Sequence, residues 1–500
     1  MLVPALVALV YQEWYSLIGF LISGIFTTGS GYAIYRFLGI TADPQHKHSL
    51  AIAALGWFMI ITLGSLPYLA IAHLTPVHVM REFVPDGFDY ESSLINFRNP
   101  LHALFESTSA FTTTGLTMAY HEPSVGKAIL FYRSFSQWVG GAGFIVMALA
   151  IFKQLPGQGA VLLYGSEASG TKLRTNVIHT ARAIWKVYLL LTAIMFLYLA
   201  IGTYFILPDY PISENLFDAI NHAMCGQSTG GFSTLDDSIA GYGSMEMEVL
   251  LILPMLLGGL SIPFFFRLLF QGGVSELWRD MQTRSIILAS LLGGITLSLF
   301  LMHSGIVSNA YREGVFQFIS AITTTGWQTS NISGWDDLSI LFIVVTAMVV
   351  GGSAGGTVGG IKIIRALILQ KGLRWYVAKI FLPRHAIKSV KFNKRILLPQ
   401  EMHSELANAG IFTLIYLLFV FVSTMFTLYY MGSGYSLADA IFESASAQGT
   451  VGLSTGITDP GMSWVLEGVY IVQMWAGRIE IIPLLVLLRV VLFGTKPRII

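Results

Sequence analysis

"STSAFTTTGLT", residues 107–117, sets small hydroxylated side chains and a glycine between two strongly apolar stretches. A continuous helix would satisfy its own backbone there, so the interruption needs a physical reason. Three relatives recur downstream: "CGQSTGGFST" at 225–234, "SAITTTGWQTS" at 320–330 and "SASAQGTVGLST" at 444–455. The second registers on either Gly230 or Gly231, but matching "DAI" at 218–220 with "DAI" at 439–441 pairs Gly231 with Gly452. The aligned glycines are then Gly115, Gly231, Gly326 and Gly452, followed by bulky Leu116, Phe232, Trp327 and Leu453. Two positions earlier stand Thr113, Thr229, Thr324 and Thr450, and five positions earlier the small Ala110, Gly226, Ala321 and Ala447. Each motif follows a segment too short to span a bilayer, such as "PLHALFESTSAF" or "LADAIFESASA". The unit is helix, half-helix, extended loop, helix, and it occurs four times.

The rest of the chain suits that unit. Of its residues 54% are hydrophobic and 11% charged, whereas soluble domains carry about 25% charged residues. Apolar runs at 15–38, 50–74, 183–207, 249–270, 338–350 with its glycine-rich extension, and 411–430 approach the ~20 residues a spanning helix needs. They lack the polar face of a helix in a soluble protein. The expectation is an all-α polytopic membrane protein. It divides into an N-terminal helical region at 1–48 and pore repeats at 49–160, 161–272, 273–400 and 401–500. The start, "MLVPALVALVYQEW", has neither the basic lead nor the small-residue cleavage site of a signal peptide. It reads as the tail of a first helix or a partly inserted segment.

Charge predicts the orientation. No Lys or Arg falls between Leu207 and Leu250, where Asp209, Glu214, Asp218, Asp236, Asp237, Glu246 and Glu248 occur. Asp439, Glu443, Asp459 and Glu467 repeat that bias after Gly432. Residues 365–395 hold Arg365, Lys371, Arg374, Lys379, Arg384, Lys388, Lys391, Lys394 and Arg395 without one acid. Lys153, Lys172, Arg174 and Arg182 form a second basic group, and Arg267, Arg279 and Arg284 a third. Basic loops mark the cytoplasmic side, so the threonine–glycine motifs and the acids are expected outside. There the acids either draw cations inward by their field or simply form loops free of positive charge. Cys225 is the sole cysteine, which rules out an intrachain disulfide.

Non-helical backbone at membrane depth must be buried in protein or lie along water. Four such loops around one axis can turn their carbonyls inward and replace the hydration shell of a cation. Glycine permits the left-handed dihedrals this demands, and the half-helices would aim their negative ends at the ion. The candidate ion-binding residues are Thr113, Thr114 and Gly115; Thr229, Gly230 and Gly231; Thr324, Thr325 and Gly326; and Thr450, Val451 and Gly452. The competing account is a set of re-entrant packing loops, which gives no reason for four copies in register.

A second glycine-rich stretch, "VVGGSAGGTVGGIKIIR", follows the apolar run of the third repeat. Gly351, Gly352, Gly355, Gly356, Gly359 and Gly360 each cost about 1 kcal/mol in a helix relative to alanine. A flexible break beneath the third loop is expected, suited to gating, with helix packing as the alternative. Arg478 reads as a charge within the last spanning helix, where a charge usually faces a cavity or partner. Glu480, two residues on, falls on another helix face. Lys362 adjoins the glycine cluster, and Arg133 lies near one end of its helix. Glu106, His222, Gln317 and Glu443 share one register on the half-helices, where capping or packing is expected. The eleven histidines show no metal-ligand spacing. No G-x-x-x-x-G-K-[ST] phosphate loop occurs, and no convergent catalytic set suggests an enzyme.

"TTTGLT", "STGGFST", "TTTGWQT", "GTVGLSTG", "FYRSFSQWVGGAGFIVMALAI" and "GGSAGGTVGGIKIIR" together resemble the Trk/Ktr/HKT potassium transporter superfamily, in particular its TrkH type. The resemblance runs from about residue 15 to the end. It implies four repeats in pseudo-fourfold symmetry around one pore, preceded by two N-terminal helices, the first here reduced to about ten residues. It also implies potassium as the transported ion, with glycine at all four positions marking potassium over sodium, and no organic cofactor. The implied setting is a homodimer in the lipid of a bacterial inner membrane, with a cytosolic TrkA-type nucleotide-binding ring and no nucleic acid. The implied gate comprises residues 351–360 together with Arg478. A secondary transporter coupling potassium entry to protons or sodium is the alternative. Such carriers usually show inverted repeats and midplane acids, whereas these repeats share one orientation.

Overall fold

The structure, a computed structural model, describes residues 1–38, 46–152, 177–383, 389–392 and 395–494. Lys153, Lys172, Arg174, Arg384, Lys388 and Lys394, and the expected boundary between the first two repeats, lie outside the described residues. The main helices are numbered here in chain order. A short α1 (Leu2–Val10) packs on α2 (Trp14–Leu38) and on the helix Lys127–Phe152 of the first repeat. Glu13, at the turn between α1 and α2, accepts the backbone N–H of Ala128 at 3.3 Å, anchoring the N-terminal pair to that repeat.

Four repeats follow. The first is α3 (His46–Leu74), the half-helix α4 (Pro100–Phe111) and α5 (Lys127–Phe152). The second is α6 (Val177–Ile206), half-helix α7 (Ile212–Ser228), then α8 (Met245–Gly258) and α9 (Ile262–Arg267). The third is α10 (Met281–Ser304), half-helix α11 (Ala310–Ile322), α12 (Leu338–Val350) and α13 (Ile363–Ile380). The fourth is α14 (Pro399–Tyr430), half-helix α15 (Leu437–Gly449), α16 (Trp464–Arg478) and α17 (Ile482–Phe493). Among the described residues the strands amount to one antiparallel hairpin, Val390–Phe392 with Arg395–Leu397, Val390 opposite Leu397. This is an all-α polytopic membrane fold with four helix–pore-helix–helix repeats in pseudo-fourfold symmetry around one pore.

The first and fourth half-helices begin where side-chain caps dictate. Asn99 accepts the Leu101 N–H at 3.0 Å ahead of Pro100, a residue suited to a first helical turn. Ser436 and Asp439 form a reciprocal capping box at the start of α15. Lipid tails are as apolar as leucine, so helix association relies on close packing of small residues. A Cβ at Gly64 of α3 would run into the Phe111 ring, and one at Gly293 of α10 into the Phe318 ring. Glycine–aromatic contacts thus seat the first and third half-helices, at different points along each. Outward, Leu414, Phe421 and Tyr429 of α14 stay exposed, as lipid contact allows.

Two apolar runs do not form the elements their composition suggests. The stretch 249–270, expected as one span, is bent by 93° between α8 and α9. Its sequence "GGLSIP" is a helix stop followed by a start: Ser261 caps α9 by accepting the Phe264 N–H at 3.2 Å, with Pro263 in the first turn. Arg478, expected within a helix, is instead the last residue of α16. The chain turns there through Glu480 and Ile481, with φ of 63° and 60°, before α17 starts with Pro483 in its first turn.

Candidate ion pathway

All four half-helices end alike. Thr114, Gly230, Thr325 and Val451 donate their N–H five residues back, to the carbonyls of Ser109, Cys225, Ser320 and Ser446, each at 2.9 Å. Thr113, Thr229, Thr324 and Thr450 donate three residues back, at 3.1, 3.2, 3.1 and 3.3 Å. The acceptors of this second set are Ala110, Gly226, Ala321 and Ala447, the small residues of the repeat. This double bond is the Schellman closure, which sets its penultimate residue left-handed. Here that residue is threonine, with φ of 57°, 52°, 53° and 49°. A β-branched residue in that region is an outlier that costs about 1–3 kcal/mol, so four in register are held there by their surroundings.

Two of the four threonine hydroxyls have partners below the motif. Thr229 Oγ1 lies 3.0 Å from Thr357 Oγ1, and Thr324 Oγ1 accepts the Gly359 N–H at 3.2 Å. They therefore face the glycine-rich segment that follows α12. Beyond them the chain passes through Gly115, Gly231, Gly326 and Gly452, with φ of 100°, 81°, 85° and 95°. A Cβ on Gly115 would stand 2.6 Å from the Gly230 carbonyl oxygen. Likewise one on Gly231 would overlap the Thr325 carbonyl, one on Gly326 that of Val451, and one on Gly452 that of Thr114. The contacts close into a ring, first repeat to second, third, fourth and back. The structure thus brings together all twelve motif residues, with Gly231 in the register matched by "DAI".

Nine residues before each glycine stand the residues that share a register. The Glu106 carboxylate accepts the Met118 N–H at 2.9 Å and the Arg133 Nε–H at 2.7 Å. Glu443 accepts the Thr455 N–H at 3.0 Å and the Ser454 hydroxyl at 2.8 Å. His222 lies 3.2 Å from the Ser233 hydroxyl. These side chains reach past their own helices and hold the segment leaving Gly115, Gly231 and Gly452. Arg133 further bonds Thr117 Oγ1 at 2.9 Å and lies 4.1 Å from the Phe232 ring centroid, linking the first two ribbons. Gln317 is buried in the same register, and among the described residues its amide has no hydrogen-bond partner.

Beneath the ring, residues 351–362 are non-helical between α12 and α13. Gly351, Gly355 and Gly360 take φ of 65°, 83° and 70°. Gly352, Gly356 and Gly359 press on Gly259, Leu260 and Gly449 backbone so closely that a Cβ would collide. The segment finds its backbone partners in the neighbouring break: Ser353 N–H donates to Gly259 O at 3.0 Å, and Ile262 N–H to Gly355 O at 3.1 Å. Two interrupted helices thereby satisfy each other at membrane depth. Arg478 donates to the carbonyls of Thr357 and Gly141, and to Gly140 O at 3.0 Å. It bridges the glycine segment to α5. Lys362 pairs with Glu480 Oε1, and Arg365 with Glu480 Oε2 at 2.6 Å. Glu480 therefore meets two bases on the third repeat, an acid that spacing to Arg478 alone did not connect.

Comparison with known proteins places this geometry. The family model described as TrkH, cation transport protein, matches residues 48–494. The chain belongs to the TrkH family. It is 32% identical over 512 residues to the Trk system potassium uptake protein TrkH of Vibrio parahaemolyticus, covering 98% of this chain and 94% of that one. It is 30% identical over 505 residues to an uncharacterized cation transporter of Methanocaldococcus jannaschii, covering 99% and 93%. The crystal structure of the potassium transporter TrkH from Vibrio parahaemolyticus superposes with a TM-score of 0.78 at 26% identity, covering 97% and 94%. This TrkH-family chain is a multi-pass membrane transporter and not an enzyme.

On the other side of the ring, a cavity of about 660 Å³ opens, lined by all four ring glycines together with Glu122, Asp237 and Asp459. Of the acids singled out by charge bias, Asp237 and Asp459 reach this mouth. Asp218 instead binds Thr234 Oγ1 at 2.6 Å, Glu248 binds Arg312 at 2.5 Å, and Glu214 pairs with Lys127. Burial pushes the Glu122 carboxyl up to about 8, against the pull of Arg133. Glu122 escaped sequence reasoning because it stands outside the motifs, in a short turn before α5.

Proposed function

We propose that this TrkH-family protein carries potassium into the cell through a channel-like pore, passing dehydrated ions down their electrochemical gradient. The carrying observation is the closed ring of Gly115, Gly231, Gly326 and Gly452, each against the carbonyl that precedes the next. Backbone carbonyls of Thr114, Gly230, Thr325 and Val451, with the hydroxyls of Thr113, Thr229, Thr324 and Thr450, would replace the ion's water. Relatives named as potassium uptake proteins support the choice of ion. The glycine ring leaves no side chain to intrude on it.

In this reading the acidic cavity faces outward and the basic helix α13 faces the cytoplasm, following the positive-inside bias. The segment 351–360, with Lys362 and Arg478, is the gate. It lies directly under the threonine hydroxyls, and few of its own hydrogen bonds are helical, so a modest tilt of α13 would displace it. A cytosolic nucleotide-binding ring of the TrkA type acting on α13, and assembly as a homodimer in a bacterial inner membrane, complete the proposal.

The test is the reversal potential of the purified protein in a planar bilayer under a potassium gradient. Passive conduction predicts the potassium equilibrium potential at any pH gradient. A reversal potential that moves with an imposed proton or sodium gradient would select coupled transport instead.

A further inference from the structure

Three of the four ribbons carry a side chain just before the ring glycine, namely Thr114, Thr325 and Val451, whereas the second carries Gly230. The space there is occupied by Gln137, a fully buried residue of α5 in the first repeat. A Cβ on Gly230 would collide with the Gln137 amide and stand 2.9 Å from its Cβ. Gln137 Nε2 donates to the Gly230 carbonyl, one of the four that close the ring. Its Oε1 accepts the Phe232 N–H at 3.2 Å. A single side-chain amide thus fixes the peptide groups on both sides of Gly231.

The second ribbon also lacks a support that two others have. Ser109 and Ser446 hydroxyls accept the N–H of Gly115 and Gly452 at 2.9 and 3.1 Å. The corresponding residue before Gly231 is Cys225, whose sulfur is a weak acceptor. Substituting glycine for threonine also loosens the backbone. Left alone, this ribbon would be the most deformable of the four.

We infer that Gln137 is a positioning residue for ion selectivity: it stands in for the missing side chain and hydroxyl of the second ribbon and sets the orientation of the Gly230 carbonyl. The inference rests on the pore reading above. A carbonyl already engaged by an N–H donor cannot rotate freely and offers less charge to the ion. The second ribbon therefore contributes a stiffer, weaker ligand than the other three.

The test compares wild type, Gln137→Met, Gln137→Gly, the exchange Gln137→Gly with Gly230→Thr, which removes the Cβ that a side chain at 230 would meet, and Gly452→Ser. Potassium-to-sodium permeability ratios are measured on protein that elutes as a single species in detergent. Methionine fills the space without either hydrogen bond, and only the one on the Gly230 carbonyl acts on an ion ligand, so Gln137→Met should lower the ratio by about fivefold, the value of that one bond. The exchange gives the second ribbon the "TTG" of the first and third, and should recover much of what Gln137→Gly loses. A wild-type ratio in folded Gln137→Met, or no recovery in the exchange, overturns the inference. Should Gly452→Ser also leave the ratio unchanged, the pore reading itself fails. If it alone lowers the ratio, only the role of Gln137 falls.

Discussion

The ring level and the level beneath it obey opposite rules. At the ring, four segments of different sequence reach the same geometry, with hydrogen bonds of 2.9 Å at every half-helix end and glycine φ between 81° and 100°. One layer below, no two repeats agree. α5 runs unbroken past Gly140 and Gly141, α8 and α9 are bent by 93°, α12 gives way to the glycine segment, and α16 stops at Arg478. In the proposed pore an ion on the axis would meet all repeats equally, so its ligands would have to match. The proposed gate would need only one weak side, and asymmetry supplies it.

Four experiments would break or sharpen that contrast. The largest effect is expected at the ring. Gly326→Ala puts a methyl group into the Val451 carbonyl and should abolish growth of uptake-deficient bacteria in low potassium, and Gly452→Ser should sharply weaken discrimination against sodium. Wild-type rescue by both would mean the ring is not the conducting element. Next, the braces should differ in strength although they share a register. Glu106→Gln leaves buried Arg133 unpaired and should cost about 3–5 kcal/mol, whereas Glu443→Gln weakens neutral donors and should cost about 1–3 kcal/mol. Thermal unfolding in detergent measures both, and equal losses would deny the special position of Arg133.

Beneath the ring, shortening 351–360 or replacing Arg478 by Ala should raise basal rubidium flux several-fold and reduce dependence on the proposed cytosolic partner. Flux that is unchanged with and without the partner would reject the segment as a gate. The smallest effect concerns the mouth. Because burial lifts Glu122 to about 8, the fold favours its neutral form, and the stability this group supports declines as pH rises through that value. Its negative charge appears over the same range, so rubidium uptake at low concentration should rise modestly between pH 7 and 9, and at saturation should not. Glu122→Gln should flatten the profile, and a persisting rise would assign the effect elsewhere.

The sequence was most readable where physics repeats itself. Four threonine–glycine motifs following half-spans gave the repeat, its register and the family resemblance, because one chemical demand was written four times. The small residues at Ala110, Gly226, Ala321 and Ala447 were visible too, although their role as acceptors of the threonine N–H needed the backbone. What stayed hidden occurs once. The bend after Gly258 left a signal in "GGLSIP", overridden by the hydropathy of the whole run. Pro483 marked the restart of α17, but nothing local shows that Glu480 meets Lys362 and Arg365, more than a hundred residues earlier. Gln137 reads as an ordinary polar residue in an apolar helix until Gly230 is seen to leave room for it.

The central claim is that four main-chain ribbons together strip and hold a monovalent cation. Crystals grown in rubidium, a potassium substitute with a usable anomalous signal, test it directly. The account predicts an anomalous peak on the pore axis, surrounded by the carbonyls of Thr114, Gly230, Thr325 and Val451, that is lost in Gly452→Ser. A rubidium-conducting protein whose crystals show no ion within that ring, or whose peak survives the substitution unchanged, would contradict it.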